Sequence, residues 1–74
     1  MVAEVQSVVF QRENGWTLAK STEWIKKHGF GVNFRGKRPD VKATQIRYRQ
    51  TLPNYPTYRS EKLGDGVMLV YGIR

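Results

Sequence analysis

The residues of this chain best suited to chemistry are cationic, and they are bunched. Between positions 26 and 49 lie Lys26, Lys27, Arg35, Lys37, Arg38, Lys42, Arg47 and Arg49, against one acid, Asp40. Outside that window Arg12, Lys20, Arg59, Lys62 and Arg74 are balanced by Glu4, Glu13, Glu23, Glu61 and Asp65. The whole formal charge of +7 therefore belongs to the middle of the chain, a candidate anion-binding surface. Arg47 and Arg49, two apart on a strand, share one face. The loop leading into them carries Lys37, Arg38 and Lys42, with Arg35 just before it. Such a surface could hold phosphates. Binding a single-stranded nucleic acid would add exposed aromatics on which bases stack. Strand alternation turns Tyr48 away from the arginines, which leaves Tyr55 and Tyr58 as the stacking candidates. The competing reading is a solvated sheet face on which Arg47 and Arg49 pair with Glu4 or Glu61.

Other chemistries lack their parts. Nucleophilic catalysis needs a Ser or Cys with a base in reach, and the chain has no Cys and one His. That residue, His28, falls in the last turn of the predicted helix, where a capping or packing role is expected. Zinc needs three or more His, Cys or carboxylate ligands at suitable spacing, and the carboxylates are scattered. The glycines form neither a P-loop nor a dinucleotide-binding pattern. The expectation is a non-enzymatic module without catalytic residues, metal, cofactor or small-molecule substrate.

The elements that would position the cations can be read from pattern. Val5–Phe10 reads as a strand and Glu13-Asn14-Gly15 as a turn. Asn-Gly is also a hairpin signal, which keeps Trp16–Lys20 open as an alternative strand, but a helix over 17–28 is the better reading. Thr17 supplies its N-cap, and Leu18, Ser21, Ile25 and His28 share a face with Trp24 beside them. Lys26, Lys27 and His28 complement its dipole. Gly29 stands where a left-handed residue ends a helix, with Phe30 as the apolar contact. Trp16 and Trp24 read as core or staple residues. Gly31–Arg35 is expected to be a short strand, 36–43 a basic loop, and Thr44–Gln50 a strand with Ile46 and Tyr48 on its dry face. Leu52–Tyr58 holds Pro53 and Pro56, so a loop with one helical turn is expected. Gly64-Asp65-Gly66 is a tight turn. In the final strand, Val67–Ile73, the residues Val67, Leu69, Tyr71 and Ile73 share a face. The expected fold is α+β, β-α-β-β-(short helix)-β. It has a four-stranded, mostly antiparallel sheet, one helix packed on one face, and the last strand central beside the first.

The segments TEWIKKHGF, IRYRQTLPNY and YRSEKLGDGVMLVYGIR resemble a small domain widespread in tailed-bacteriophage proteins. There it accompanies prohead-protease and other morphogenesis modules, and similar segments occur in large DNA viruses. Trp24, Lys26, Lys27, His28 and Gly29 match its helix ending in a lysine-rich turn and glycine. Arg47, Tyr48, Arg49, Gln50 and Pro53 match its aromatic-arginine-glutamine strand and the proline after it. Arg59, Leu63, Gly66, Val67 and Gly72 match its closing part. The basic 36–43 loop departs from the pattern, where acidic residues would stand. The resemblance implies a phage or prophage origin and a single-domain fold, and no particular mechanism.

Size and composition fit this. At 74 residues, 39% apolar and 12% aromatic, the chain has room for one folded domain spanning 1–74 and one modest core. No apolar run approaches the roughly 18 residues of a membrane span, and no signal peptide is evident. A cysteine-free domain suits the cytoplasm of a bacterial host or a virion. The expected function is a binding module of phage-like origin that contacts an anionic partner, a nucleic acid or an acidic protein surface. The alternative is a protein–protein adaptor or structural accessory in phage morphogenesis.

Overall fold

A computed structural model describes residues 2–74. Strand β1, Ala3–Gln11, is followed by a single 3-10 turn, Arg12–Asn14, and the helix α1, Leu18–Lys27. Then come β2 (Asp40–Val41), β3 (Gln45–Arg49), β4 (Thr57–Gly64) and β5 (Val67–Ile73). The strands form one antiparallel sheet in the order β2-β3-β1-β5-β4. The fold is α+β with one α-helix, as expected, and β5 lies beside β1 in the sheet interior.

The sheet has five strands where four were expected. Gly31–Arg35 is not a strand, because its backbone is satisfied otherwise. The Gln50 side-chain amide donates to the Gly31 carbonyl and its oxygen accepts from the Gly31 N–H, both at 2.8 Å. Next, Phe34 and Lys37 exchange backbone bonds of 3.2 and 3.0 Å around Arg35 and Gly36. Positive φ angles of 53° and 75° at those two residues make a type I′ turn. The basic loop contains β2. No helical turn occupies 52–58, where Pro53 and Pro56 keep the chain irregular; the 3-10 turn lies at 12–14 instead, and Thr57 begins β4.

The helix ends as its sequence requires. The Lys20 N–H donates to Thr17 Oγ1 at 3.2 Å. At the other end Gly29 has φ +77°, Phe30 N–H bonds the Ile25 carbonyl at 3.0 Å, and Gly29 N–H bonds Lys26 at 3.2 Å. This is a Schellman closure with Phe30 packed on the core. The His28 ring stacks on Trp24 at 3.8 Å and its Nδ1 lies 2.9 Å from the Trp24 carbonyl.

Ile25 from α1 packs with Val8 and Phe10 of β1, Ile46 and Tyr48 of β3, and Val67 and Leu69 of β5. Burying each such side chain contributes roughly 1.5–3 kcal/mol. Phe10 is the hub, with the rings of Trp16, Trp24 and Tyr48 at 4.8, 5.5 and 5.5 Å. The buried Tyr48 hydroxyl meets Ser21 Oγ at 2.7 Å and Thr22 Oγ1 at 2.8 Å, which ties helix to sheet without an orphaned polar group.

Candidate anion-binding interface

Register decides which face carries the cations. Val8 and Phe10 sit opposite Tyr48 and Ile46, so this set faces α1. Ser7 opposite Arg49, and Val9 opposite Arg47, therefore lie on the face away from the helix. Asp40 of β2 is opposite Arg47 and joins them. β2 pairs only with Arg47 and Ile46, so the Tyr48–Arg49 end of β3 has no strand on its outer side. The segment after the helix runs past this gap. Val32 packs against the core, and Phe34, Arg35, Lys37, Arg38 and Pro39 line a cleft with Asp40, Arg47, Arg49 and Leu52. The cleft is about 170 Å³ in volume, room for a phosphate group or a small side chain. Lys42 borders an adjoining recess that shares Asp40, Arg47 and Arg49. The fold thus gathers Arg35, Lys37, Arg38, Lys42, Arg47 and Arg49 around one region.

An acid stands among them. Asp40 Oδ2 lies 3.5 Å from Arg49 Nη2, the one ion pair among the described residues, with both side chains about half exposed. Such a pair contributes at most about 1 kcal/mol and is open to competition from another anion. Neither Glu4 nor Glu61 pairs with the arginines. Glu4 Oε2 accepts from the Tyr55 hydroxyl at 2.5 Å instead. Arg47 Nε is buried without a hydrogen-bond partner, as is Ser7 Oγ on the same face. A buried donor left unpaired is costly, and an anion entering the cleft could offset that cost at Arg47. The turn carries a second sign of tension. Type I′ turns favour Asn or Gly at the first central position, yet Arg35 holds φ 53° there, its guanidinium 5.5 Å from the Phe34 ring.

The aromatic candidates are differently placed. Tyr55 is 7% exposed. Its ring lies on Gly72 so closely that any Cβ there would overlap it, and Arg74 stands 4.7 Å above the ring. Thr51 Oγ1 is 2.9 Å from its hydroxyl. That ring is not free to stack on a base. Tyr58 is 44% exposed and gives an edge to Tyr55 at 5.9 Å. The apolar wall of Val32, Phe34, Pro39 and Leu52 was not anticipated from sequence; the Arg35-Gly36 pair was the available signal of a turn that would fold this segment back.

Among the described residues no three His, Cys, Asp or Glu come together as a metal site, and no helix is long and apolar enough to cross a membrane. Comparison of the chain with protein-family models, with characterised proteins and with solved structures gives no match.

Proposed function

We propose that this chain is a non-catalytic binding module that grips the phosphate backbone of a nucleic acid in the cleft between residues 34–39 and β3. The observation that carries this reading is the convergence of Arg35, Lys37, Arg38, Arg47 and Arg49 on one cleft with Asp40 as the sole acid. Because Tyr55 is covered by its own fold and the exposed Tyr58 stands on β4, at the other edge of the sheet from the cleft, contact is to backbone rather than to stacked bases, and sequence preference is weak. The phage-like resemblance supports a setting in a bacterial host cytoplasm or in a virion.

The test is a titration of labelled duplex and single strand across salt. With Arg49 held by Asp40, four free contacts give a slope of log affinity against log salt of about −3.6 on duplex and −2.8 on single strand. Arg38→Ala with Arg47→Ala should flatten it by about two units, and Arg12→Ala should leave it unchanged. A slope near zero, or one indifferent to the double change, refutes the reading. A second reading, an adaptor that takes an acidic protein segment, is favoured by the apolar wall of Val32, Phe34, Pro39 and Leu52. It predicts that an acidic peptide bearing apolar side chains outcompetes the nucleic acid at high salt.

A further inference from the structure

At the far side of the sheet from the cleft, β4 is an edge of unusual openness. All eight of its residues are exposed, and β5 is its only neighbour. Long open edges invite pairing with another strand, and proteins normally blunt them. The other edge is blunted: β2 has two residues and follows Pro39. β4 also follows a proline, Pro56, and has a bulge between Lys62 and Gly64, but from Tyr58 to Lys62 it is regular and holds no proline.

The backbone groups it presents follow from register. Gln11 N–H donates to the Gly66 carbonyl at 2.8 Å, so Gly66, Met68, Val70 and Gly72 point their backbone groups at β1. Leu69, Tyr71 and Ile73 then point theirs at β4, where they meet Glu61, Arg59 and Thr57. The N–H and C=O groups of Tyr58, Ser60 and Lys62 are left pointing outward with no strand to receive them.

We propose that β4 is a homodimer interface, on which a second copy of this chain adds its own β4 antiparallel about a two-fold axis at Ser60. The charges choose both occupant and register. A two-fold at Arg59, Glu61 or Lys62 would set a charge against its own copy. At Ser60 it sets Arg59 against Glu61 of the second copy, twice, on one face, and Tyr58 against Lys62, twice, on the other. Opposite charges directly across strands attract, and like charges there repel. The same register makes Ser60 exchange both backbone bonds with its counterpart and lets Tyr58 and Lys62 do so with each other. A two-fold closes after one addition, giving a ten-stranded sheet with β2 at both ends.

The experiment is sedimentation of the full chain over a concentration series, with hydrogen exchange read at single amides. Expected is a reversible monomer–dimer equilibrium in which the Ser60 amide gains protection as concentration rises. Arg59→Glu should weaken the dimer by about tenfold or more. Arg59→Glu with Glu61→Arg restores the opposition and should bring affinity back to near its original value. Ser60→Pro removes an outward donor that β5 does not use, and should abolish dimerisation while the dilute protein keeps its thermal midpoint. Any of these results overturns the proposal: a monomer at every concentration, association that leaves the Ser60 amide unprotected, or a charge swap that fails to recover. Growth beyond two copies also overturns it.

Discussion

Two strands of similar length, β1 with nine residues and β4 with eight, lie two places apart in one sheet. From Gln6 to Phe10 every residue of β1 is buried, whereas every residue of β4 is exposed. Intrinsic preference does not explain this, since β4 opens with Thr57 and Tyr58, both good strand formers. Position does. β1 has a strand on each side, α1 over one face, and side chains of β3 and the Tyr55 seat on the other. β4 has one partner strand and no layer above or below. The first is a strand because its side chains are buried; the second is a strand because β5 offers it hydrogen bonds. Stability is therefore concentrated around β1, and the cationic cleft is built on that rigid half.

Substitutions can break this contrast in graded steps. Phe10→Ala empties the hub of the core and should cost about 3–5 kcal/mol, enough to unfold most of a domain this small, as a collapse of the denaturant midpoint would report. Gly72→Ala forces Tyr55 off its seat, since a Cβ there would overlap the ring; a loss of roughly 1–3 kcal/mol is expected, with Tyr55 becoming visible to solvent quenchers. Tyr48→Phe keeps the ring but removes the partner of the Thr22 hydroxyl and one of the two partners of Ser21, whose Oγ still donates to the Leu18 carbonyl, and should cost about 1 kcal/mol in chemical denaturation. Arg35→Asn relieves the turn and should raise stability by about 0.5–1 kcal/mol while weakening nucleic-acid binding, a divergence that calorimetry and titration together would register. Glu61→Gln in β4 should change the stability of the dilute protein by no more than about 0.5 kcal/mol. A large loss there would mean that β4 contributes more than its exposure suggests.

The same contrast explains what could be read from the sequence. β1, β3, β5 and the helix with both caps were legible because burial stamps them with alternation, helical spacing or end signals: Ile46 and Tyr48 against Arg47 and Arg49, Thr17 before the helix, Gly29 after it. β4 was illegible because neither face is dry, so Arg59, Glu61 and Lys62 leave no period to detect, and the prolines at 53 and 56 bias the reading toward loop. Gly31–Arg35 misled because Val32 and Phe34 alternate as a strand does, while its backbone partner is the side chain of Gln50, which no local pattern reveals. In the candidate site, the cluster of cations was legible from charge alone. The pairing of Asp40 with Arg49 and the covering of Tyr55 by Gly72 depend on register across distant strands, and local sequence does not encode that.

Gln6 is the extra residue where β1 slips against β5, between Val5 and Ser7. Its side chain donates to the Thr51 carbonyl at 2.9 Å, and its own carbonyl accepts from Gln50 at 2.7 Å. This one insertion resets the phase of the strand. Val5 reaches the core beside Tyr71, and Glu4 reaches the opposite face, where Tyr55 meets it. The first strand thus has a reading frame. Pairing residue 6 in register, without the bulge, would turn the Glu4 carboxylate toward the core and Val5 toward water. Deleting Gln6 instead leaves Val5 opposite Tyr71 and Ser7 opposite Val70, and should cost only the hydrogen bonds it makes with Thr51 and Gln50.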